Sequence, residues 1–360
     1  MRENVKARTP RRRGNAPTLK DVADLAGVSS MTVSRVINKD SAVREETRKR
    51  VDRAIKALRY APNSAAQVLA RAGQTKLALL YTNPSNTYLS EVLVGALTGA
   101  RQRNVQLLVE SCHDQEPFST LSKRLVESRV DGVILPFPFF DVPDIVTPLH
   151  DVDMPTATFV SGTPLSGSFE AIIDDRQAAF DMTRHLLCLG HRRIGFIVGN
   201  PNYPGSGRRL DGYRCALRES GVADDPDLIV GGDFSYRSGL FAAQTLLDLQ
   251  HRPTAIFASN DDMAAAVIAA GHRRHLMIPE DLSVCGFDDT SLATTIFPEL
   301  TTVRQPIAEM AMATVEMLAE AVRQRRRKEP VEPRTQTFSH TIAHRASVGP
   351  AAANRNVDNG

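Results

Sequence analysis

Apolar residues near the N-terminus recur at the three- and four-residue spacing of amphipathic helices. They are Leu19, Val22, Ala23 and Ala26 in a first helix, Val33, Val36 and Ile37 in a second, and Val51, Ala54, Ile55 and Leu58 in a third, over 45–58. Gly27 can end the first helix in the left-handed conformation, and Ser29 can cap the second. This pattern predicts a helix-turn-helix within a three-helix unit over 18–60. A corner between two helices of some other helical domain would have a similar pattern.

From Lys76 onward, short apolar runs alternate with longer helical segments. Predicted strands of a first series lie at 77–80, 105–109, 132–135, 155–159 and 171–173, and those of a second series at 193–198, 228–230, 255–258 and 283–287. Predicted helices lie at 90–104 and 117–128, then at 178–189, 208–220, 237–250 and 262–273. Two successive series predict two doubly wound α/β units. Such folds bind ligands at the carboxyl ends of their strands, here in the cleft between the units.

The charge of the chain is distributed unevenly. Residues 1–76 contain 18 Lys and Arg against 7 Asp and Glu, a net charge of +11, whereas the remainder contains 26 against 34, a net charge of −8. A basic head on an acidic body favours contact between the head and a polyanion. A solvated basic tail around Arg11-Arg12-Arg13 without a partner is the alternative, which the adjacent helix-turn-helix makes less favoured.

Several protein classes are disfavoured by the sequence. No apolar run approaches 18 residues and the basic N-terminus lacks the apolar core of a secretory signal, so we expect a cytoplasmic protein without a membrane span. The glycine-rich loop at 199–207 lacks the Gly-Lys-Ser/Thr ending of a nucleotide-binding loop. The scattered cysteines fit no zinc or disulfide pattern, and we expect buried reduced thiols. They are Cys112, Cys188, Cys215 and Cys285. With no catalytic triad or metal cluster, we expect neither an enzyme nor a cofactor.

The order of helix-turn-helix, short hinge and two α/β lobes resembles that of the lactose-repressor (LacI/GalR) family of regulators over roughly residues 18–349. The motifs that carry the resemblance lie at 18–23, 32–36, 60–63, 189–194, 209–213, 260–264, 286–289 and 300–306. The sequence departs from the family pattern at Tyr88-Leu89, where two aromatic residues are common, and in having no tryptophan.

The resemblance implies an α/β fold class. The N-terminal helix-turn-helix DNA-binding domain and a hinge helix would precede a periplasmic-binding-protein-like core of two doubly wound parallel sheets. The implied domains are a disordered basic tail (1–17), the DNA-binding domain (18–62), the hinge helix and linker (63–75), the core (76–349) and a disordered tail (350–360). Within the core, one lobe would contain 76–174 with 305–334, and the other 175–304 with 335–349.

For the DNA end, the resemblance places Ser30, Met31 and Arg35 at the base-reading positions of the second helix. Arg35 can bond the O6 and N7 atoms of guanine, and Met31 can pack on a thymine methyl group unless it belongs to the core. Leu69 would wedge into a minor-groove base step, or else pack locally as a linker residue. The remaining predicted DNA-binding residues are Thr18, Ser29, Thr32, Ser34, Asn38, Thr47 and Asn63.

For the effector end, the resemblance implies that Arg209 and Asp261 project into the cleft and hold ligand hydroxyls. Asp261 could also cap the helix that begins near 262. Tyr88, Phe137 and Phe234 could stack on a ligand ring, or each could pack in the core. The adjacent carboxylates at 288 and 289 are expected to brace the cleft rather than to act chemically.

The sequence therefore predicts a transcriptional regulator, in this family most often a repressor. It would bind double-stranded operator DNA as a homodimer, because the polar tail lacks the leucine heptads of tetrameric relatives. A small molecule in the cleft would control operator affinity, with a sugar or oligosaccharide as the leading expectation. A solute-binding receptor is the alternative from another class. A purine-type or co-repressor-dependent regulator is the alternative within this class.

Overall fold

The structure, a computed structural model, describes residues 17–37, 43–58, 60, 74–82, 85–111, 117–159 and 167–351. The chain divides into two compact units, an N-terminal unit that ends at Gln74 and a core that begins at Thr75. None of the helices in these ranges is long and apolar enough to cross a membrane.

The N-terminal unit contains three helices, α1 (Leu19–Ala26), α2 (Ser30–Ile37) and α3 (Glu45–Leu58). Val22, Val33 and Val51, one from each helix, are completely buried in a single hydrophobic cluster that the three helices share. Gly27 ends α1 with φ +63°, a conformation in which a side chain would be strained. The predicted helix-turn-helix is confirmed, since α1 and α2 are joined by the three residues that follow α1 and both contribute to one small core.

The core consists of two α/β lobes. The elements of the first lobe are β1 (Lys76–Tyr81), α4 (Asn86–Gln102), β2 (Gln106–Ser111), α5 (Phe118–Glu127), β3 (Gly132–Ile134), α6 (Pro143–Asp151), β4 (Thr156–Thr158) and β5 (Phe169–Ile173). Those of the second are α7 (Asp175–Cys188), β6 (Ile194–Val198), α8 (Pro204–Glu219), β7 (Ile229–Gly231), α9 (Tyr236–Leu247), β8 (Ala255–Ala258), α10 (Asp261–Arg273), β9 (Ser283–Asp288), α11 (Leu292–Thr295) and β10 (Thr301–Arg304). The chain then forms α12 (Ile307–Arg326), β11 (Thr335–Phe338) and β12 (Thr341–Ala343).

Each lobe is built on a six-stranded sheet. The first has the order β11-β5-β4-β3-β1-β2 with parallel neighbours throughout, and the second has the order β12-β10-β9-β8-β6-β7 with only β12 antiparallel. Helices cover the sheets, so a central strand such as β8 is apolar and buried at every position. The predicted pair of doubly wound parallel sheets is confirmed.

The chain crosses between the lobes three times, at Asp174, at 305–306 and at 339–340. The prediction that 335–349 belongs to the second lobe is therefore wrong at its start. Thr335–Phe338 pairs in parallel with β5, from Thr335 opposite Glu170 to Phe338 opposite Ile173, because β5 would otherwise be an open edge of the first sheet. The return to the second sheet comes only with β12.

Two smaller expectations are also corrected. The cysteine at 188, near the end of α7, is exposed, whereas Cys215 and Cys285 are buried thiols as predicted. The ordered chain extends past 349, because Ala351 is buried and its amide donates a hydrogen bond to the carbonyl oxygen of Leu189 (3.0 Å).

Candidate functional site

The outer face of α2 carries the residues that were predicted to read bases. Ser30, Met31 and Arg35 are all exposed, while Val33 and Val36 hold the opposite face in the core. The Met31 side chain is 68% exposed, so the alternative that it is a core residue is wrong. This face offers a hydroxyl, an apolar tip and a guanidinium within two turns of helix, which is the set of groups needed for base edges in a major groove.

Two of the other predicted DNA-binding residues cap helices. Thr18 caps α1, accepting a hydrogen bond from the Asp21 amide (3.3 Å) while its own amide donates to the Asp21 carboxylate (2.7 Å). Ser29 caps α2 by accepting from the Thr32 amide (3.2 Å). Both caps place hydroxyls and helix N-termini at the surface, where a phosphate can be bound. Ser34 and Thr47 are half-buried, and Asn38, Asn63 and Leu69 lie outside the described residues.

A cavity lies between the two lobes of the core, beside the carboxyl ends of β3, β4 and β9. Its empty volume is about 540 Å³, including space that is open to solvent. It is lined by Ser85, Tyr88, Pro136, Phe137, Phe159, Tyr203, Arg209, Phe234, Asn260, Asp288 and Gln305. Four of the five predicted effector-binding residues are in this set, and Asp261 is not.

Arg209 lies on α8 and is almost fully buried. Its Nε donates to Asp175 Oδ1 (2.6 Å) and its Nη1 donates to the carbonyl oxygen of Ser259 (2.5 Å). The ring of Phe287 lies 3.5 Å from the guanidinium carbon. The guanidinium is therefore fixed in one orientation by an ion pair, a carbonyl and an aromatic ring before any ligand arrives.

The carboxylate that faces the cavity is Asp288, not Asp261. All the hydrogen bonds of Asp261 are internal: Oδ2 accepts from the amide (2.8 Å) and hydroxyl (3.0 Å) of Thr290, and Oδ1 accepts from the hydroxyl of Thr302 (2.6 Å). Burial raises the pKa of Asp261 to about 7, although these hydrogen bonds favour its ionised form. The prediction that Asp261 projects into the cleft is wrong because it ties α10 to two other segments.

Asp288 ends β9 and lines the cavity with a buried carboxyl group. Gln305, at the second crossing between the lobes, donates to its Oδ1 (2.6 Å). Burial raises the pKa of Asp288 well above its usual range, an effect that Arg209 opposes and Asp261 reinforces. The Gln305 amide holds the carboxyl group at one position, where it can form a hydrogen bond with a ligand hydroxyl.

Aromatic side chains form the apolar walls. Phe234 has φ +74°, and its carbonyl oxygen accepts a hydrogen bond from the side-chain amide of Asn260 (2.9 Å). Tyr203 packs edge-on against both Phe234 and Phe137, with ring centroids 5.6 and 5.2 Å apart. Because Phe137 belongs to the first lobe and the other two rings to the second, this aromatic row spans the cleft. A strained backbone that a specific partner holds in place is typical of functional sites.

A hydrogen bond joins the lobes at the edge of the same cavity. The Ser85 hydroxyl donates to Asp262 Oδ2 (2.5 Å) and accepts from the amide of Tyr88 (3.2 Å). The cap of α4 in the first lobe is thus bonded to the N-terminus of α10 in the second, next to a residue of the cavity wall. This contact holds the two lobes in the arrangement that the structure shows.

Sequence reasoning missed several cavity residues. Tyr203, Asn260 and Gln305 each lie inside a motif that was recognised, but periodicity gave no signal for the direction of their side chains. The available signal was local: Gly199 and Gly205 leave room for the rings of Phe234 and Tyr203, which lie 2.2 and 2.4 Å from where a Cβ atom would be. Glycines that accommodate large rings beside a cleft indicate an aromatic wall.

Comparison with known proteins assigns the chain to a family. Residues 18–63 match the family of bacterial regulatory proteins of the lacI type, and residues 183–348 match the periplasmic binding protein-like domain. The chain is 36% identical over 297 residues to the transcriptional regulator DegA of Bacillus subtilis, covering 81% of this chain and 88% of DegA. The chain belongs to the LacI family.

Other LacI-family proteins agree in both sequence and structure. The ribose operon repressor of Escherichia coli is 34% identical, with 85% of this chain and 93% of that repressor covered. A Lac repressor structure with bound ONPG superposes with a TM-score of 0.73 at 26% identity, covering 93% of this chain and all of that one. The complex of the regulator CelR with cellobiose gives a TM-score of 0.69 at 30% identity, covering 92% and 99%. The chain is accordingly a DNA-binding transcriptional regulator with a small-molecule-binding core.

Proposed function

We propose that this LacI-family protein is a homodimeric repressor whose affinity for operator DNA is set by a sugar bound between the lobes. The DNA-binding part of this proposal rests on the exposed face of α2. Ser30, Met31 and Arg35 lie there, on the side opposite the small core that holds the helix. Arg35 would bond a guanine, Met31 would contact a thymine methyl group, and the capping hydroxyls would fix register on phosphates. Asn38, Asn63 and Leu69 complete the proposed DNA contacts, with Leu69 in the minor groove.

The chemistry of the cavity supports a sugar as the effector. Asp288 and the amides of Asn260 and Gln305 can bond hydroxyl groups, while Phe234 and Phe137 present apolar surface to a pyranose or furanose face. Related proteins point to the same class of ligand, since one is named for ribose and another was solved with cellobiose. Asp261 acts in this proposal through the fold of the site rather than by touching the ligand.

Exposed apolar side chains on the core support a dimer. Val94 and Leu97 on α4 are 59% and 55% exposed, and Phe297 is 86% exposed. A second copy would cover such surface, and a twofold dimer would present two recognition helices to the two halves of a pseudo-palindromic site. A Lac repressor dimer has been solved on its operator. We place the protein in the cytoplasm, because its proposed operator is there.

The test is selection of double-stranded DNA from a random pool, followed by anisotropy titrations of the selected site. We expect a pseudo-palindromic site, and an affinity that falls by orders of magnitude between about 50 and about 200 mM salt. Arg35→Ala should weaken binding by ~1–3 kcal/mol and relax the preference at one base pair per half-site. Arg218→Ala, an exposed arginine on the core, is the control for loss of positive charge. A protein that selects no site, or whose Arg35 variant binds as the Arg218 variant does, would contradict the proposal.

A further inference from the structure

The cavity has a distinctive charge balance. We propose that it admits uncharged polyhydroxylated ligands and rejects sugar phosphates and sugar acids. The inference rests on the proposed function, because it specifies the class of sugar that the same cleft binds. It is carried by the ion pair of Arg209, by the carboxylate of Asp288, and by the aromatic walls around both.

The positive charge of Arg209 is already balanced. Asp175, which is completely buried, bonds the Nε of Arg209 at 2.6 Å, and the carbonyl of Ser259 takes Nη1 at 2.5 Å. Phe287 covers one face of the guanidinium. An anionic ligand would have to compete with Asp175 for a cation that two partners and a ring already hold, in a setting where the displaced carboxylate has no access to water.

No second cation compensates for this among the residues that line the cavity. Arg209 is the only lysine or arginine in the described lining, whereas Asp288 adds a carboxyl group to it. Arg304, the last residue of β10, and Arg345 are both paired with Asp289, at 2.5 and 2.6 Å. The three core segments outside the described residues contain no lysine or arginine at all: they are 83–84, 112–116 and 160–166.

The two classes of ligand would therefore meet very different environments. A sugar hydroxyl can donate to Asp288, and the ring can lie on Phe234 without leaving a charge unpaired. A phosphate or carboxylate would lose its hydration among aromatic side chains and face Asp288 and Asp175 without a cation of its own. Because the anion gives up its hydration and gains no free cation, we expect the anionic member of each pair to bind at least about 100-fold more weakly than the neutral one.

The test is isothermal titration of the full-length protein with matched pairs of compounds. The pairs are D-glucose with glucose 6-phosphate and D-gluconate, D-ribose with ribose 5-phosphate, and cellobiose with cellobionate, accompanied by further neutral aldoses, ketoses and disaccharides. We expect neutral compounds to bind, and the anionic counterpart of each to bind at least about 100-fold more weakly or not detectably. An anion that binds as tightly as its neutral counterpart would overturn the inference.

Two variants test the cause of the selectivity. Asp175→Asn releases the charge of Arg209, so the ratio of anionic to neutral affinity should rise on the order of tenfold or more. Asp248→Asn, which removes the same charge from a surface pair with Arg274, should leave the ratio unchanged. If Asp175→Asn does not fold, Asp288→Asn should shift the ratio in the same direction while weakening neutral sugars. An unchanged ratio in the folded variants would overturn the inference.

The outcome of the operator titrations separates this inference from the proposed function. A protein that binds its selected DNA site but binds no neutral compound of the set overturns the neutral-ligand inference and leaves the DNA-binding proposal intact. A protein that binds neutral sugars but selects no DNA supports the inference and contradicts the proposed repressor.

Discussion

Gly199→Ala tests whether the Phe234 ring forms the wall of the cleft. A Cβ atom at 199 would lie 2.2 Å from two carbons of the Phe234 ring and 2.7 Å from the Ser206 hydroxyl. Ordinary contact begins at 3.4 Å, so the ring must move by about 1.2 Å, the difference between the two distances. The backbone of Phe234 cannot yield easily, because its φ of +74° is held by the hydrogen bond from Asn260. The ring must therefore leave the wall.

The expected cost follows from overpacking. We expect a loss of about 1–3 kcal/mol in the free energy of unfolding, which corresponds to a fall of several degrees in Tm. Effector affinity should fall on the order of tenfold, since stacking and burial on one ring are lost. Gly207→Ala is the matched control: it lies in α8 near the same loop with nothing within 4 Å of its Cβ position, and alanine there should stabilise the helix by about 0.5–1 kcal/mol.

The assays are thermal unfolding and titration with a neutral sugar that binds the wild type. A double-mutant cycle with Phe234→Ala isolates the contact, because Gly199→Ala should cost much less once the ring is gone and only the Ser206 hydroxyl remains close. Operator affinity without effector should be unchanged in both glycine variants. If Gly199→Ala melts and binds as Gly207→Ala does, or if its cost is just as large without the ring, Phe234 is not wedged over Gly199.

Two further predictions concern the core. Ser85→Ala removes the hydrogen bond to Asp262 between the lobes, so effector affinity should fall several-fold with faster release in stopped-flow experiments. Ser90→Ala, an exposed serine on the helix that Ser85 caps, should change neither, and equal behaviour of the two variants would exclude a role for the bond between Ser85 and Asp262. Burial lowers the pKa of His191 below 6.5, even though its Nε2 bonds the carbonyl of Gly349. The unfolded chain then binds more protons, so stability should fall as pH drops below 6.5. Thermal unfolding near pH 5.5 and near pH 7.5 should show this loss, and His191→Gln should reduce it; equal losses would contradict the assignment.

The predictable parts of this protein are those determined by local sequence. The third helix was predicted over 45–58 and lies at Glu45–Leu58, because its apolar positions face a single small core. The caps at Thr18 and Ser29 follow from neighbouring residues alone. In the core, buried parallel strands produce short apolar runs that alternate with helices, and this alternation was sufficient to identify two sheets.

The unpredicted parts depend on contacts between distant segments. No element was predicted over 307–326, although α12 is the longest described helix; it is buried around much of its circumference against α4 and the first sheet, so its sequence lacks a single apolar stripe. The choice between Asp261 and Asp288 was decided by Thr290 and Thr302, which approach Asp261 from other segments of the second lobe. The spacing of residues along the chain does not reveal which of two carboxylates will accept hydrogen bonds from such hydroxyl groups.

The cleft residues and the connections between the lobes are the same pieces of chain. Asp175, which holds Arg209, follows the first crossing directly, and Gln305, which holds Asp288, is part of the second. A ligand that binds Asp288 competes with its hydrogen bond from the Gln305 amide. A ligand that binds Arg209 competes with Asp175 for the guanidinium. The binding energy is therefore applied at the segments about which the lobes would rotate, where small displacements have the largest effect on their relative orientation. Two closed arrangements that differ in these contacts would bind the ligand with different affinities, and that difference is the free energy available to shift the lobes.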